Sequence, residues 1–155
     1  GFYQAYKSVE KEVNANVEAL MKKYPKVTIE VTGHSLGGAL STVCAMELQL
    51  KYQKVSVLHS LSSPRLENPS LANFIKVKIP TVFRIIHHKD LVPHLPPESF
   101  GFRHSPYEVL FSEDFSSYHV CDESGEDKEC SNKYFPNYEA SDHDFYFVQM
   151  DERSC

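Results

Sequence analysis

The sequence predicts an α/β protein, a mostly parallel sheet flanked by helices. Three observations carry this. Helical and strand-like periodicities alternate from Tyr3 to Ile86. The short apolar runs are rich in β-branched residues, as strands are. A glycine-rich turn, Gly33 to Gly38, joins one such run directly to a helical pattern. The chain has 155 residues, so a single domain over 1–155 is expected.

Each element follows from its pattern. Tyr3, Tyr6, Val9, Val13, Val17, Leu20, Met21 and Tyr24 recur mostly at spacings of three and four, with charged residues between them. They predict a long amphipathic helix with one buried stripe, ended by Pro25. Lys26 to Thr32 alternates, with Val27, Ile29 and Val31 on one face, and predicts a strand. Ala39 to Lys51 is a mostly apolar helix, and Lys54 to Leu61 a second apolar strand. Asn68-Pro69 has the form of an N-cap and first helical position, opening a short helix through Ile75. Thr81 to Ile86 is a third strand, expected parallel and adjacent to the others.

Beyond residue 90 the texture changes. Pro93, Pro96 and Pro97 exclude a regular element. Tyr107–Phe111 and Phe115–Val120 predict short antiparallel strands. Ser141-Asp142-His143-Asp144 matches a capping box, which predicts a final helix over the apolar run that follows. No repeat, low-complexity tract or internal boundary is visible.

Composition narrows the function. Hydrophobic residues are 41% and charged residues 24%, values of an ordinary globular protein. Lysine and arginine number 16 against 21 acidic residues, a net charge of −5. Without a basic stripe, nucleic acid is not an expected partner. No stretch has the roughly 20 apolar residues of a transmembrane helix. Of Cys44, Cys121, Cys130 and Cys155, none forms a C-x-x-C pair, so no zinc site is expected. Cys121 and Cys130 flank a polar, turn-like stretch. A bridge there would point to a secreted or otherwise oxidising setting, the competing reading being two exposed thiols. Cys44 reads as a buried helix thiol.

The chemistry centres on Gly33-His34-Ser35-Leu36-Gly37, a G-x-S-x-G pattern. The pattern is weak alone and gains weight from the strand before it and the helix after it. Such a turn forces Ser35 into a strained backbone conformation. The flanking glycines let strand and helix approach closely. The Ser35 hydroxyl is lifted above the sheet, and the Leu36 N–H is aimed at a developing oxyanion. A plain glycine-rich turn is the competing reading.

A serine hydroxyl needs a base, and with this motif the chain order is serine, acid, histidine. Asp90 lies just past a strand at its carboxyl end, where α/β folds place functional residues. Asp114, Asp122, Asp127 and Asp142 lack such support. Among His94, His104, His119 and His143, the last is favoured because a loop can bring it to the sheet's upper edge. The expected helix would oppose positive charge on its ring, and Asp90 would offset that. His34 is expected to point away from Ser35 and to pack. His87 and His88 should point to opposite faces of a strand, so no metal is expected, and nothing in the sequence calls for a cofactor.

Together these residues resemble the fungal-type class-three lipase family of α/β-hydrolases. The resemblance runs from Gly1-Phe2 through Val31 to Leu40 and Ser63-Pro64-Arg65. It is most specific over Arg84 to Pro97 and closes at Asp142 to Phe147. It implies a serine carboxylic-ester hydrolase, foremost a triacylglycerol lipase, with Ser35, Asp90 and His143 as its triad. The implied substrate is an acylglycerol or other lipid ester, met in transient contact with a lipid interface. A feruloyl esterase, a phospholipase and an inactive lipase fragment are the alternatives. The cysteine pair also resembles a short loop that many secreted members carry. Two departures stand out. Ser62 replaces the glycine usual before Ser-Pro-Arg, and Leu66-Glu67-Asn68 replaces Val-Gly-Asn. The resemblance further implies an N-terminally incomplete domain. The family's first strands, lid and other oxyanion donor precede the point matched by Gly1, and Cys155 matches half of a terminal staple.

Overall fold

The computed structural model describes residues 1–150; Cys155 lies outside them. Helix α1 (Phe2–Lys23) leads to β1 (Ile29–His34), α2 (Leu36–Tyr52), β2 (Val55–Leu61), α3 (Pro69–Lys78) and β3 (Thr81–His87). These are the alternating elements the periodicity predicts. Strands β4 (Glu108–Phe111) and β5 (Tyr118–Val120) complete a sheet of order β1-β2-β3-β4-β5. The first four strands are parallel and β5 is antiparallel to β4. The expectation of an antiparallel β4 therefore holds only on its β5 side. On its other side the long connection after His88 returns the chain in the direction of β3, as a parallel pairing requires.

Packing explains most of the boundaries. Ala45, Leu48, Val55, Leu58, Ile75, Ile79 and Val82 form the main core, with Val13 and Val17 of α1 against it. The α1 stripe is narrower than its periodicity suggests: Tyr6 is buried, whereas Tyr3, Val9, Leu20 and Tyr24 are exposed. Asn68 caps α3 as read, its side chain accepting from Leu71 N. That helix runs three residues past the expected Ile75, to Lys78.

The final helix does not form. Ser141–Asp144 is a single 3₁₀ turn with no side-chain cap, followed by the two-residue strands β6 (Phe145–Tyr146) and β7 (Val148–Gln149). The reason is local. The Asp142 carboxylate turns away to accept from the Lys89 N–H at 3.0 Å. Tyr146 turns inward until only 2% is exposed. Phe147 takes the left-handed conformation, φ 63°, that closes the hairpin. His143 thus has no helix N-terminus behind it, and the expected opposition from a helix dipole disappears.

Irregular backbone between Asp90 and Asn132 is held by buried charge. Arg84 and Glu108, register partners on β3 and β4, pair at 3.2 Å. Arg84 also donates to Ser105 O and Gly125 O. Arg65 grips Glu126 at both carboxylate oxygens, 2.8 and 2.7 Å. Cys121 and Cys130 form a disulfide, so the stretch between them is a docked loop. Gly125 allows the docking: it has φ 78°, and a Cβ there would meet His104 O at 2.1 Å.

Candidate active site

The site sits where β1, β2 and β3 end. Ser35 follows β1 directly and has φ 55° and ψ −124°, a strained conformation for a residue with a side chain. The tight turn rests on Gly33, where a Cβ would meet Gly37 O at 2.2 Å. Gly37 itself faces open space, and the second close approach falls at Gly38, whose Cβ would meet Ser63 Cβ at 3.0 Å. The glycine requirement therefore belongs to Gly33 and Gly38, not to Gly37. The Ser35 carbonyl accepts from Gly38 N and Ala39 N and starts α2. Leu36 is the first residue of that helix, and first-turn N–H groups have no partner within the helix.

The three residues selected from the sequence meet. His143 Nε2 lies 2.8 Å from Ser35 Oγ, and its Nδ1 lies 3.2 Å from both Asp90 oxygens. Asp90 is fully buried and accepts at four points. Val92 N donates to Oδ1 at 2.9 Å, Tyr146 O–H to Oδ2 at 2.6 Å, and Ser62 O–H also to Oδ2. Burial alone would raise its pKa. The hydrogen bonds from His143, Ser62, Tyr146 and Val92 outweigh burial and lower it, so it is a carboxylate. A carboxylate at Nδ1 holds that nitrogen as N–H and leaves the Nε2 lone pair facing Ser35. A bound hydroxyl proton therefore has an acceptor, and the resulting imidazolium has a counter-charge.

The remaining histidines take other places. His34 does not point away from the site: its Nε2 lies 3.1 Å from His143 O and its ring lies 4.7 Å from the His143 ring. Burial and neighbouring His143 lower its pKa, which keeps a second cation away from the base. His94 is buried, stacked on Tyr138 at 3.9 Å. Burial, with Arg65 and Arg84 nearby, brings its pKa down to about 4. His104 is buried on Pro93 O at 2.7 Å, and His119 lies on exposed β5. The His87 ring lies between Asp142 O and Glu113 O, while His88 faces the Asp142 carboxylate. The two rings therefore do not diverge across a strand as expected: β3 ends at His87, His88 has φ 39°, and both reach Asp142, one its backbone oxygen and the other its carboxylate.

Three residues were not assigned to the site from the sequence: Ser62, read only as a departure from glycine, His34, expected to point away, and Tyr146. Ser62 directly follows β2, so the strand-end rule that selected Asp90 would have flagged it. Tyr146 lay hidden in a run read as helix. An apolar groove of about 410 Å³, lined by Phe2, Tyr3, Val43, Met46, Leu71 and Phe102 among others, includes none of the three residues.

Comparison with known proteins points to one family. Residues 1–100 match the family model "Lipase (class 3)". A Rhizomucor miehei lipase is 35% identical over 152 residues, covering 95% of this chain and 42% of that protein. A secreted mono- and diacylglycerol lipase of Fusarium solani is 40% identical over 105 residues, 68% of this chain and 31% of that protein. The chain thus spans less than half the length of these curated relatives. Among solved structures, Rhizomucor miehei triacylglyceride lipase superposes with TM-score 0.89 at 35% identity, covering 97% of this chain and 59% of that one. Lipase II from Rhizopus niveus gives 0.90 at 31%, covering 97% and 59%. A further structure, described as a triacylglycerol lipase whose catalytic centre is formed by a serine protease triad, gives 0.88 at 35% and covers 95% and 57%. The fold is that of the α/β-hydrolases. Within it, this chain belongs to the class 3 lipase family. The disulfide and the secreted relatives are consistent with an oxidising compartment.

Proposed function

We propose that the protein is a secreted serine hydrolase of carboxylic esters, foremost a triacylglycerol lipase, with Ser35, His143 and Asp90 as its catalytic residues. The observation that carries this reading is the unbroken line from Ser35 Oγ through His143 to Asp90, built from three distant parts of the chain. His143 takes the Ser35 proton as Oγ attacks the ester carbonyl. The Leu36 N–H stabilises the oxyanion from the first turn of α2. The alcohol leaves with the proton from His143, and water, deprotonated by the same ring, releases the fatty acid from Ser35. No cofactor or metal enters any step. Residues 1–155 act as one α/β-hydrolase unit in this reading.

Acylglycerol as substrate is supported by the relatives, which include a mono- and diacylglycerol lipase and triacylglycerol lipases. The test is hydrolysis of a short-chain nitrophenyl ester and of a triacylglycerol emulsion by the full protein, with an organophosphonate to trap the nucleophile. Wild type should turn over both and carry one adduct on Ser35. Ser35→Ala should lose both activities. A Ser35→Ala variant as active as wild type would refute the reading.

A further inference from the structure

Ser62 lies where the line from Ser35 to Asp90 passes over the end of β2. It follows Leu61, the last residue of that strand, and its N–H donates to Ile85 O on β3. Ser35 N donates to Leu61 O beside it. The strand order β1-β2-β3 therefore sets Ser62 beneath the imidazole, between the nucleophile's strand and the acid's. Its side chain is fully buried.

Its hydrogen bonds are shared by the two charged partners. The hydroxyl proton goes to Asp90 Oδ2, and the oxygen lies 2.6 Å from His143 Nδ1. Asp90 is ionised and can only accept, so Oγ–H donates to the carboxylate, and Nδ1–H is shared between Oγ and the carboxylate oxygens. The same Nδ1 is farther, 3.2 Å, from each carboxylate oxygen. Ser62 is therefore nearer to the ring nitrogen than the acid is.

The backbone makes this placement unfavourable for any residue with a side chain. Ser62 has φ 50°, in the left-handed region, where glycine sits without strain and other residues lose of order 1 kcal/mol or more. A serine there carries a backbone cost that glycine would not, and sets its hydroxyl against both charged partners.

We infer that Ser62 is a positioning residue of the catalytic apparatus, a hydroxyl bridge that couples Asp90 to His143 and fixes the ring for proton transfer with Ser35. The inference rests on the proposed hydrolase reading. It adds a fourth member to the line: Ser35, His143, Ser62, Asp90. Ser62 touches no reacting atom. It works by holding the Nδ1–H tautomer and the ring plane.

The test uses Ser62→Gly and Ser62→Ala in the full protein. Glycine removes the hydroxyl and relieves the positive φ; alanine removes the hydroxyl and keeps the strain. Both should lower kcat on a nitrophenyl ester roughly tenfold, the loss expected for one hydrogen bond to a charged group, with KM unchanged. Both should move the downfield proton NMR resonance of His143 Nδ1–H. Ser62→Gly should melt no lower than wild type, and its full complement of Ser35 should still react with the phosphonate. The inference is overturned if kcat and the resonance both stay at wild-type values. It is equally overturned if the loss of activity only tracks a loss of folded, titratable protein. The NMR readout needs no substrate, so it judges the bridge even if Ser35→Ala were to overturn the hydrolase reading.

Discussion

Asp90 and Glu108 are both buried carboxylates, one just beyond β3 and the other on neighbouring β4. They end in opposite kinds of network. Glu108 pairs with Arg84 and accepts from Ser131 N, while Arg84 reaches on to Ser105 O and Gly125 O. That network closes on itself. Asp90 is also saturated with donors, but its chain runs outward through the partly exposed His143 to the Ser35 hydroxyl. A closed set of buried charges fixes backbone; an open one carries a proton to a surface where chemistry can occur. The difference lies in where the last partner sits, not in how buried the carboxylate is.

This contrast is broken most sharply by Asp90→Asn. The amide would present a donor to Nδ1 and favour the wrong imidazole tautomer, so kcat on a soluble ester should fall by about 10⁴, with the unfolding curve little changed. Loss of stability equal to that of a network variant would erase the distinction. Arg84→Met attacks the other side. Removing one partner of a buried pair strands the Glu108 charge and should cost about 3–5 kcal/mol in urea unfolding. The fraction that remains folded should keep wild-type kcat per Ser35 labelled with phosphonate.

Smaller effects sharpen the picture. Replacing Cys121 and Cys130 by serine opens the loop that carries Gly125 and Glu126. It should cost about 2.5–3 kcal/mol by the chain-entropy estimate for so short a loop, read in the same unfolding experiment. A further effect concerns pH. Glu67 is fully buried, and burial raises its pKa from 4.5 to about 7. Its contribution to stability is complete below pH 4.5 and is lost as pH rises through about 7. Glu67→Gln should flatten unfolding free energy across that window while leaving the acid side unchanged. Glu126 behaves oppositely. Burial would raise its pKa, but Arg65 and the hydrogen bonds around it bring it down to about 2. Its contribution is therefore complete above 4.5 and is lost only as pH falls through about 2.

The legible half of the molecule is the half built from local rules. The 3.6 and 2 residue periods mark α1 through β3, and the glycine turn marks Ser35 because its sterics are confined to neighbours in sequence. Asp90 follows from its place at a strand end. His143 was selected although its element was misread, because reaching the sheet's upper edge depended on the loop and not on a helix. The Arg65–Glu126 and Arg84–Glu108 pairs were not legible. Their partners lie far apart in sequence, and nothing in the spacing of a lone arginine shows which acid will face it. Ser62 differs from them: its place at a strand end was legible, but its contacts with Asp90 and His143 exist only after three strand ends have been set side by side.

The base reaches the site on a strap rather than on the sheet. Residues 139–146 are fastened by the Asp90–Glu139 bridge, the Asp142 carboxylate on Lys89 and the Tyr146 hydroxyl on Asp90. No strand of the five-stranded sheet passes through them. In the proposed reading, a protease that nicked the chain near Tyr138 and freed this strap would take the base from Ser35 without cutting any strand of the sheet. Adding back the severed piece as a synthetic peptide would then test whether the three anchors suffice to seat His143.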